Sequence, residues 1–204
     1  MSSGLSERAT TGIQVSGMAA TRFATYRSLP DARAISRAAD AYLDVFSREP
    51  YSETPADRAG FADRVQRMAV RDGFRLLVAW EGETAAGLGL AVVAHPGDWW
   101  RDRVAERLED GEIDRWLGDA CLEVVHLAVR PRRQGQGLGR AIHRALLEHT
   151  SVPTAVLTVH PEATAARRLY VREGWIVLRE AVTIGVSRDV ILMGRRLRAT
   201  RAGA

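Results

Sequence analysis

The sequence is poor in cysteine, since Cys121 is the only one among 204 residues. No disulfide can form within the chain, and nothing in it requires an oxidising compartment. Also missing are an apolar run of roughly 20 residues, the length that spans a membrane, and the charged-then-apolar order of a secretory signal at the first residues. These absences predict a cytoplasmic protein that is neither inserted into a membrane nor secreted.

The formal net charge is +4, and arginines crowd the last residues of the chain. A basic chain can bind nucleic acid. However, acidic residues are spread through the same segments, and no stripe of alternating basic and aromatic residues is suited to stacking on bases. We therefore expect no nucleic acid among the partners. The composition, with 46% hydrophobic and 26% charged residues, is typical of one folded domain.

Apolar periodicity predicts alternating strands and helices. Strands are expected at 21–29, 74–80, 84–93, 121–129, 155–159 and from 175 onward. Helices are expected at 31–49, 54–72, 136–149 and 164–173. The charged segment 95–118 is interpreted as an insertion with one short helix around 104–108. The alternation predicts an α/β protein, with a domain at 19–198 between tails at 1–18 and 199–204.

Glycine occupies every second position from Gly135 to Gly139, between a predicted strand and a predicted helix. Such a turn exposes N–H groups at a helix N-terminus, where the dipole adds roughly half a positive charge. This predicts a phosphate or pyrophosphate site, with Arg133 and Arg140 at its rim. The spacing fits neither G-x-G-x-x-G nor a P-loop. Glycines that only permit a tight turn are the alternative.

The segment Leu127-Ala128-Val129-x-Pro131 followed by Gln134-x-x-Gly137-x-Gly139 resembles the acyl-CoA signature of the GNAT superfamily of N-acetyltransferases. The order of elements over 18–198 is similar to that fold, a mixed and mostly antiparallel sheet that is splayed at the cofactor strand and has helices on both faces. The resemblance implies acetyl-CoA as co-substrate, and no metal is expected. The implied cofactor-binding residues are Leu127, Ala128, Val129, Gln134, Gly135, Gln136, Gly137, Leu138, Gly139 and Arg140.

The helix after the turn has an apolar period that predicts a buried stripe and a solvated face. The predicted buried residues are Leu138, Ile142, Ala145 and Leu146. The predicted outward-facing residues are Arg140, His143 and Arg144.

Acyl transfer to an amine needs a neutral nucleophile, so a general base is expected. Glu123 is a carboxylate within an apolar strand, on the same face as Val125, Leu127 and Val129 by the period of two. It matches the position of the catalytic glutamate in histone-acetylating members of the superfamily, which implies the base role. The alternatives are a strand-end glutamate that reaches solvent or an arginine, and His126 as the base.

Tyr170 lies in Leu169-Tyr170-x-x-x-Gly174-Trp175, which resembles the second signature of the family, where the tyrosine hydroxyl lies beside the CoA sulfur. A leaving thiolate needs a proton, and a phenol can share one. The resemblance thus implies Tyr170 as general acid, against the alternative of a tyrosine that only packs on the sheet. The match is incomplete, because Ala163 and Thr158 replace an asparagine and a glutamate found in many members.

The cofactor signature does not specify the acceptor, which in this fold is read by the first two helices and variable loops. Acidic residues near tryptophans would favour a cationic amine, although the tryptophans could equally form a small satellite core. A small amine ranks before a protein or peptide amine. The candidate lining residues are Tyr51, Glu53, Trp99, Trp100 and Trp116, with Glu49 and Glu112 nearby.

Two other hypotheses stay open. One is a non-catalytic acyl-CoA-binding or sensing module, which would keep the glycine turn and lose the acid and the base. The other is a homodimer in which the strand Val190 to Arg195 completes the sheet of a partner.

Overall fold

The computed structural model describes residues 21–185 and 187–197, so both predicted tails lie outside the described residues. The strands within this range are β1 (Arg22–Tyr26), β2 (Arg75–Glu81), β3 (Thr84–Ala94), β4 (Cys121–Val129), β5 (Thr154–Val159), β6 (Ile176–Ile184) and β7 (Ser187–Arg196). The helices are α1 (Ala32–Phe46), α2 (Pro55–Met68), α3 (Trp99–Ala105), α4 (Asp110–Trp116), α5 (Leu138–Leu147) and α6 (Thr164–Arg172).

The strands form one sheet with the order β1-β2-β3-β4-β5-β7-β6. The pairs β1 with β2, β5 with β7 and β6 with β7 are antiparallel, whereas β4 and β5 are parallel. The predicted α/β class with a mixed, mostly antiparallel sheet is therefore confirmed. Because β7 is hydrogen-bonded on both sides within the chain, the hypothesis that Val190 to Arg195 completes a partner's sheet is wrong for this arrangement.

Contacts within the chain define two compact units. The first contains the described residues up to Val70 together with Phe74–Leu90 and His126–Leu146. The second contains Arg71–Gly73, Ala91–Val125 and the described residues from Leu147 onward. Each unit carries part of the predicted site, and each is described separately below.

In the first unit, α5 lies so close to the strands that only glycine fits beneath it. A Cβ on Gly87 would come within 2.8 Å of Ile142 of this helix, and a Cβ on Gly89 within 3.0 Å of the same residue. The helix buries Leu138, Ile142 and Leu146 as predicted. The predicted outward position of His143 is wrong, since this residue is fully buried. Its neighbours Arg140 and Arg144 are exposed.

In the second unit, the segment 95–118 forms two short helices, α3 and α4, and the single helix predicted at 104–108 is wrong. The start of α4 is determined by its capping residues. The Glu112 side chain accepts a hydrogen bond from the Glu109 N–H at 3.0 Å and closes a capping box there. Val104 and Leu117 are fully buried in the core of this unit.

The parallel pairing of β4 with β5 is short. Leu122 pairs with Ala155 and Glu123 with Val156, while β5 continues to pair with β7 through Val159. In the described residues, the pairing of β4 with β5 thus ends at Glu123. This is where the predicted splay of the cofactor strand begins. Burial changes at the same place, because Cys121 to Val124 are buried and Val125 is only half-buried.

Candidate active site

The glycine turn lies in the first unit and opens α5. Gly135 and Gly137 have φ of 72° and 80°, a left-handed conformation that a side chain with a Cβ rarely adopts. Neither position has an atom within 4 Å of an added Cβ, and both residues are exposed. The backbone at the start of a ten-residue helix is therefore open to solvent, as an anion site requires.

Side chains within the turn brace it from inside. The Gln134 amide donates to the Val129 carbonyl at 2.9 Å, and the Gln136 amide donates to the Arg132 carbonyl at 3.1 Å. The Gln134 N–H is also used within the turn, since it donates to the Pro131 carbonyl at 3.2 Å.

The two arginines predicted at the rim of the turn differ in their surroundings. Arg133 pairs with Glu81 at 2.8 Å, so its predicted contribution of positive charge is largely cancelled by a carboxylate. Arg140 is exposed on the first turns of α5. Of the two predicted rim arginines, Arg140 is the more exposed.

The carboxyl half of β4 leads into this turn. Ala128 is buried, and Leu127 and Val129 are half-buried. The chain is then held by Arg130, whose N–H donates to the Ala86 carbonyl at 2.9 Å and whose Nε donates to the Ala85 carbonyl at 2.8 Å. The predicted cofactor-binding residues Leu127, Ala128 and Val129 therefore stand on a strand that is fixed to β3.

Glu123 lies in the second unit and is 4% exposed. Its Oε2 is 3.4 Å from Nη1 of Arg71. Burial raises the pKa of the Glu123 carboxyl to about 7, although the positive charge of Arg71 opposes the shift. A group that titrates near neutral pH is suited to general base catalysis. Its burial excludes the alternative of a glutamate in solvent, whereas the alternative of a glutamate that reaches an arginine agrees with the contact to Arg71.

His126 follows in the first unit, where an arginine and three aromatic rings surround it. Arg64 Nη1 donates to its Nε2 at 2.6 Å, which requires the neutral ring with the proton on Nδ1. The ring centroids of Tyr42, Phe46 and Phe61 are 5.0, 5.6 and 5.9 Å away. Burial and the Arg64 charge lower the pKa of His126 to about 3. With its Nε2 lone pair occupied, His126 is a poor base.

Two predicted acceptor residues adjoin the same cluster. The Tyr42 hydroxyl donates to Glu53 Oε1 at 2.6 Å, and the Tyr51 ring lies 4.7 Å from that of Phe46. Burial raises the pKa of Glu53, and the hydrogen bond from Tyr42 opposes this change. Its Oε2 is buried and accepts no hydrogen bond within the described structure. Glu53 and Tyr51 thus combine a carboxylate with an aromatic surface.

Tyr170 lies near the end of α6 in the second unit and is 6% exposed. Its ring centroid is 5.7 Å from that of Trp175, and its carbonyl accepts the Trp175 N–H at 3.0 Å. The turn after α6 therefore fixes the tyrosine backbone.

The tryptophans of the second unit differ in their exposure. Trp116 is 5% exposed and Trp99 is 60% exposed, while Trp100 packs on the core of the unit. Trp116 is a core residue, because a Cβ on Gly194 would meet its ring at 2.8 Å. The satellite-core alternative applies to Trp116 and Trp100, whereas Trp99 keeps most of its surface exposed and packs only one end of its ring against Gly185. Glu112 is paired with Arg179.

Each unit thus brings part of the predicted site together. The first holds the glycine turn, Tyr51 and Glu53, and the second holds Glu123, Tyr170 and the tryptophans. Sequence reasoning missed Arg64 and Arg71. Arg64 meets His126 and Arg71 meets Glu123, which are 62 and 52 positions away in the chain. Arginine is common throughout this chain, and no local pattern distinguishes one that makes such a distant contact. Within the described residues, no cluster of potential metal ligands occurs, and no helix there is long and apolar enough to cross a membrane.

Comparison with known proteins gives a consistent family. The model of the acetyltransferase (GNAT) family matches residues 35–175. A GCN5-like protein acetyltransferase of Mycobacterium tuberculosis is 30% identical over 119 residues, a match that covers 54% of this chain and 58% of that protein. The matched part of the chain therefore spans little more than half the length of this curated relative.

Solved structures show the same fold at low identity. Arylalkylamine N-acetyltransferase 2 from Aedes aegypti has a TM-score of 0.59 at 11% identity, and the match covers 87% of this chain and 99% of that one. The PaiA N-acetyltransferase of Thermoplasma acidophilum, solved in complex with coenzyme A, has a TM-score of 0.52 at 12% identity, with 86% and 99% covered.

Proposed function

The chain belongs to the acetyltransferase (GNAT) family, and we propose that it is an N-acetyltransferase that moves an acetyl group from acetyl-CoA to a primary amine. The observation that carries this proposal is the open glycine turn at the start of α5, where Gly135 and Gly137 leave backbone N–H groups free of side-chain cover. Those donors, with the helix dipole, favour the pyrophosphate of the cofactor. Arg140 adds charge beside them.

In the proposed reaction, the amine nitrogen attacks the thioester carbonyl, and the C–S bond breaks as the new C–N bond forms. Glu123, directly or through a water molecule, takes the proton that the amine loses. Tyr170, as general acid, gives its hydroxyl proton to the departing thiolate of coenzyme A, which a neutral phenol can do. The near-neutral pKa of Glu123 supports this role, because an ordinary glutamate is a weak base at pH 7.

For the acceptor we propose a small amine before a protein or peptide amine. Tyr51 and Glu53 offer aromatic and anionic surface, and Trp99 offers an exposed ring, which suits a cation. Trp100 belongs to the same candidate set, although its packing on the core makes it the weaker member. The M. tuberculosis relative is named a protein acetyltransferase, and the A. aegypti enzyme is named an arylalkylamine acetyltransferase. The names of these two proteins therefore do not decide between a protein amine and a small amine as acceptor.

We also propose that the protein works in a reducing cytoplasm. Cys121 is buried, and burial raises the pKa of its thiol to about 12, so it is neither reactive nor placed to form a disulfide. If a homodimer forms, it must use a surface other than β7.

Calorimetric titration with acetyl-CoA, with NAD and ATP as controls, tests the cofactor. We expect dissociation in the micromolar range for acetyl-CoA alone, about −8 kcal/mol. A preference for NAD or ATP would overturn the reading of the glycine turn. Release of free coenzyme A thiol in the presence of a panel of small amines and peptides then separates an enzyme from a module that only binds acyl-CoA. An enzyme releases thiol in proportion to acetylated amine, whereas a binding module shows saturation without release.

A further inference from the structure

Glu123 shares its arginine with a second carboxylate. The Arg71 guanidinium places Nη2 at 2.8 Å from Oδ2 of Asp98 and Nη1 at 3.4 Å from Oε2 of Glu123. The arginine is therefore closer to Asp98, in an ion pair that lacks hydrogen-bond geometry, and its hydrogen bond to Glu123 is long. All three side chains belong to the second unit. Their burial is graded, because Glu123, Arg71 and Asp98 have 5%, 23% and 33% of their side chains exposed.

Asp98 and Arg71 both stand on fixed backbone. The same Oδ2 of Asp98 accepts the N–H of His95 at 2.7 Å, and the Asp98 N–H donates to the His95 carbonyl at 3.0 Å. The Asp72 carbonyl next to Arg71 accepts the N–H of Val93 at 2.8 Å. The guanidinium thus lies between two carboxylates whose backbone positions are fixed by hydrogen bonds. Its closer approach to Asp98 follows from the backbone of the turn that holds Asp98.

We propose that Arg71 and Asp98 are positioning residues for Glu123, in which Asp98 holds the Arg71 guanidinium away from the Glu123 carboxylate. This proposal rests on the proposed function, in which Glu123 is the base. An arginine bonded fully to Glu123 would stabilise the anion and weaken it as a base. An arginine removed altogether would leave the carboxyl protonated at neutral pH. The shared arrangement keeps Glu123 between these limits.

The other polar groups nearby do not replace this pair. Cys121 lies two positions earlier on β4, and burial raises the pKa of its thiol to about 12, which keeps it neutral at physiological pH. Arg101 of α3 donates to the Gly118 carbonyl at 2.6 Å. His95 is bonded through Nε2 to Asp72 at 3.1 Å. The charges that act on Glu123 are those of Arg71, which lowers its pKa, and Asp98, which raises it.

The two removals have opposite expected effects. Arg71→Gln takes away the cation, so the pKa of Glu123 should rise by about one unit. Asp98→Asn takes away a repelling charge and also releases Arg71 toward Glu123, so the pKa should fall. Simple disruption of the turn would admit water to Glu123 and lower its pKa in both variants. A rise in Arg71→Gln is therefore a result that a merely structural role does not produce.

The test is a ¹³C NMR titration of the full-length protein with labelled glutamate, in which the Glu123 resonance is assigned by its loss in Glu123→Gln. Arg71→Lys should stay close to the wild type, because it restores the cation, and Arg103→Gln is the matched control for an exposed arginine of α3 that pairs with Glu106 instead. Shifts of the same sign in Arg71→Gln and Asp98→Asn, or no shift in either, would overturn the proposal.

The same variants separate this proposal from the proposed function. If Glu123 is the base, the acid limb of the kcat profile moves with the NMR titration, upward in pH for Arg71→Gln and downward for Asp98→Asn. Opposite NMR shifts with an unmoved rate profile would support the positioning of Glu123 and refute its role as base.

Discussion

Arg64 donates to Nε2 of His126 at 2.6 Å, and this contact determines the charge state of a histidine that the sequence offers as a second base. Protonation of Nε2 would place two cationic donors against each other inside a ring of aromatic side chains. The neutral imidazole is therefore the stable form, which is consistent with the proposal that Glu123, three positions earlier on β4, is the base.

We predict that His126 stays neutral across the physiological range. With burial and Arg64 lowering the pKa of His126 to about 3, its ring resonances should not shift between pH 8 and 5 in a ¹H–¹⁵N NMR titration. Because an unfolded histidine takes up a proton near pH 6.5, the folded state loses stability as pH falls below that value. Arg64→Gln should raise the pKa of His126, whereas Arg67→Gln on the same helix should not. Titration of His126 near pH 6.5 in the wild type would contradict the assignment.

The buried Glu123 carboxylate is predicted to lower the free energy of unfolding when it is ionised. The unfolded carboxyl ionises near pH 4.3, and the folded one near 7. Between these values the folded state keeps a proton that the unfolded chain has released, so the free energy of unfolding falls as pH rises. Glu123→Gln should therefore be more stable than the wild type by up to about 3 kcal/mol at pH 8 and equal to it near pH 4.

Urea unfolding at both pH values measures this difference. Glu162→Gln, which changes an exposed carboxylate outside the cluster, is the control. A Glu123→Gln protein that is less stable than the wild type at pH 8 would mean that the ionised carboxylate is well compensated in the fold and that its pKa is not raised.

The close approach of α5 predicts a packing effect at a glycine. Gly89→Val would place side-chain atoms where Ile142 and Leu146 already lie 3.0 and 3.1 Å from an added Cβ, and we expect a loss of about 1–3 kcal/mol in the free energy of unfolding. Gly60→Ala is the matched control. Gly60 lies within α2 with no atom within 4 Å of an added Cβ, so alanine there should stabilise by roughly 0.5–1 kcal/mol. Equal stability of Gly89→Val and the wild type would contradict the packing.

Local sequence patterns predicted the helices and strands of this protein better than the side-chain contacts between residues that are distant in the chain. The strands around the glycine turn and the Leu-Tyr-x-x-x-Gly-Trp turn were predicted because their residue types dictate backbone conformation over a few positions. The burial of His143 was missed because a helix face is assigned from apolar residues, and a polar side chain there gives no signal. The partners of Glu123 and Arg133 were missed because an ion pair depends on which elements the fold brings together.

Tyr170 is predicted to act on the leaving group and not on binding. Tyr170→Phe keeps the ring against Trp175 and removes only the hydroxyl, so the affinity for acetyl-CoA should stay within a few-fold while kcat falls by about 10²-fold. Tyr26→Phe in β1 is the control. Titration calorimetry and the thiol-release rate give the two quantities. An unchanged kcat would show that the departing thiolate takes its proton from another group.

The glycine turn allows charge and backbone strain to be tested separately. Gly137 has φ of 80°, and both Asp and Asn tolerate this region better than other residues with a side chain. Gly137→Asn and Gly137→Asp therefore carry nearly the same steric change and differ by one negative charge. If the turn holds the pyrophosphate, Asp should weaken acetyl-CoA binding at least about tenfold more than Asn, a difference of 1.4 kcal/mol or greater. That gap should shrink at high salt, because the charge at this exposed turn is screened. Equal affinities in calorimetry would mean that the cofactor phosphates lie elsewhere, even if both variants bind weakly.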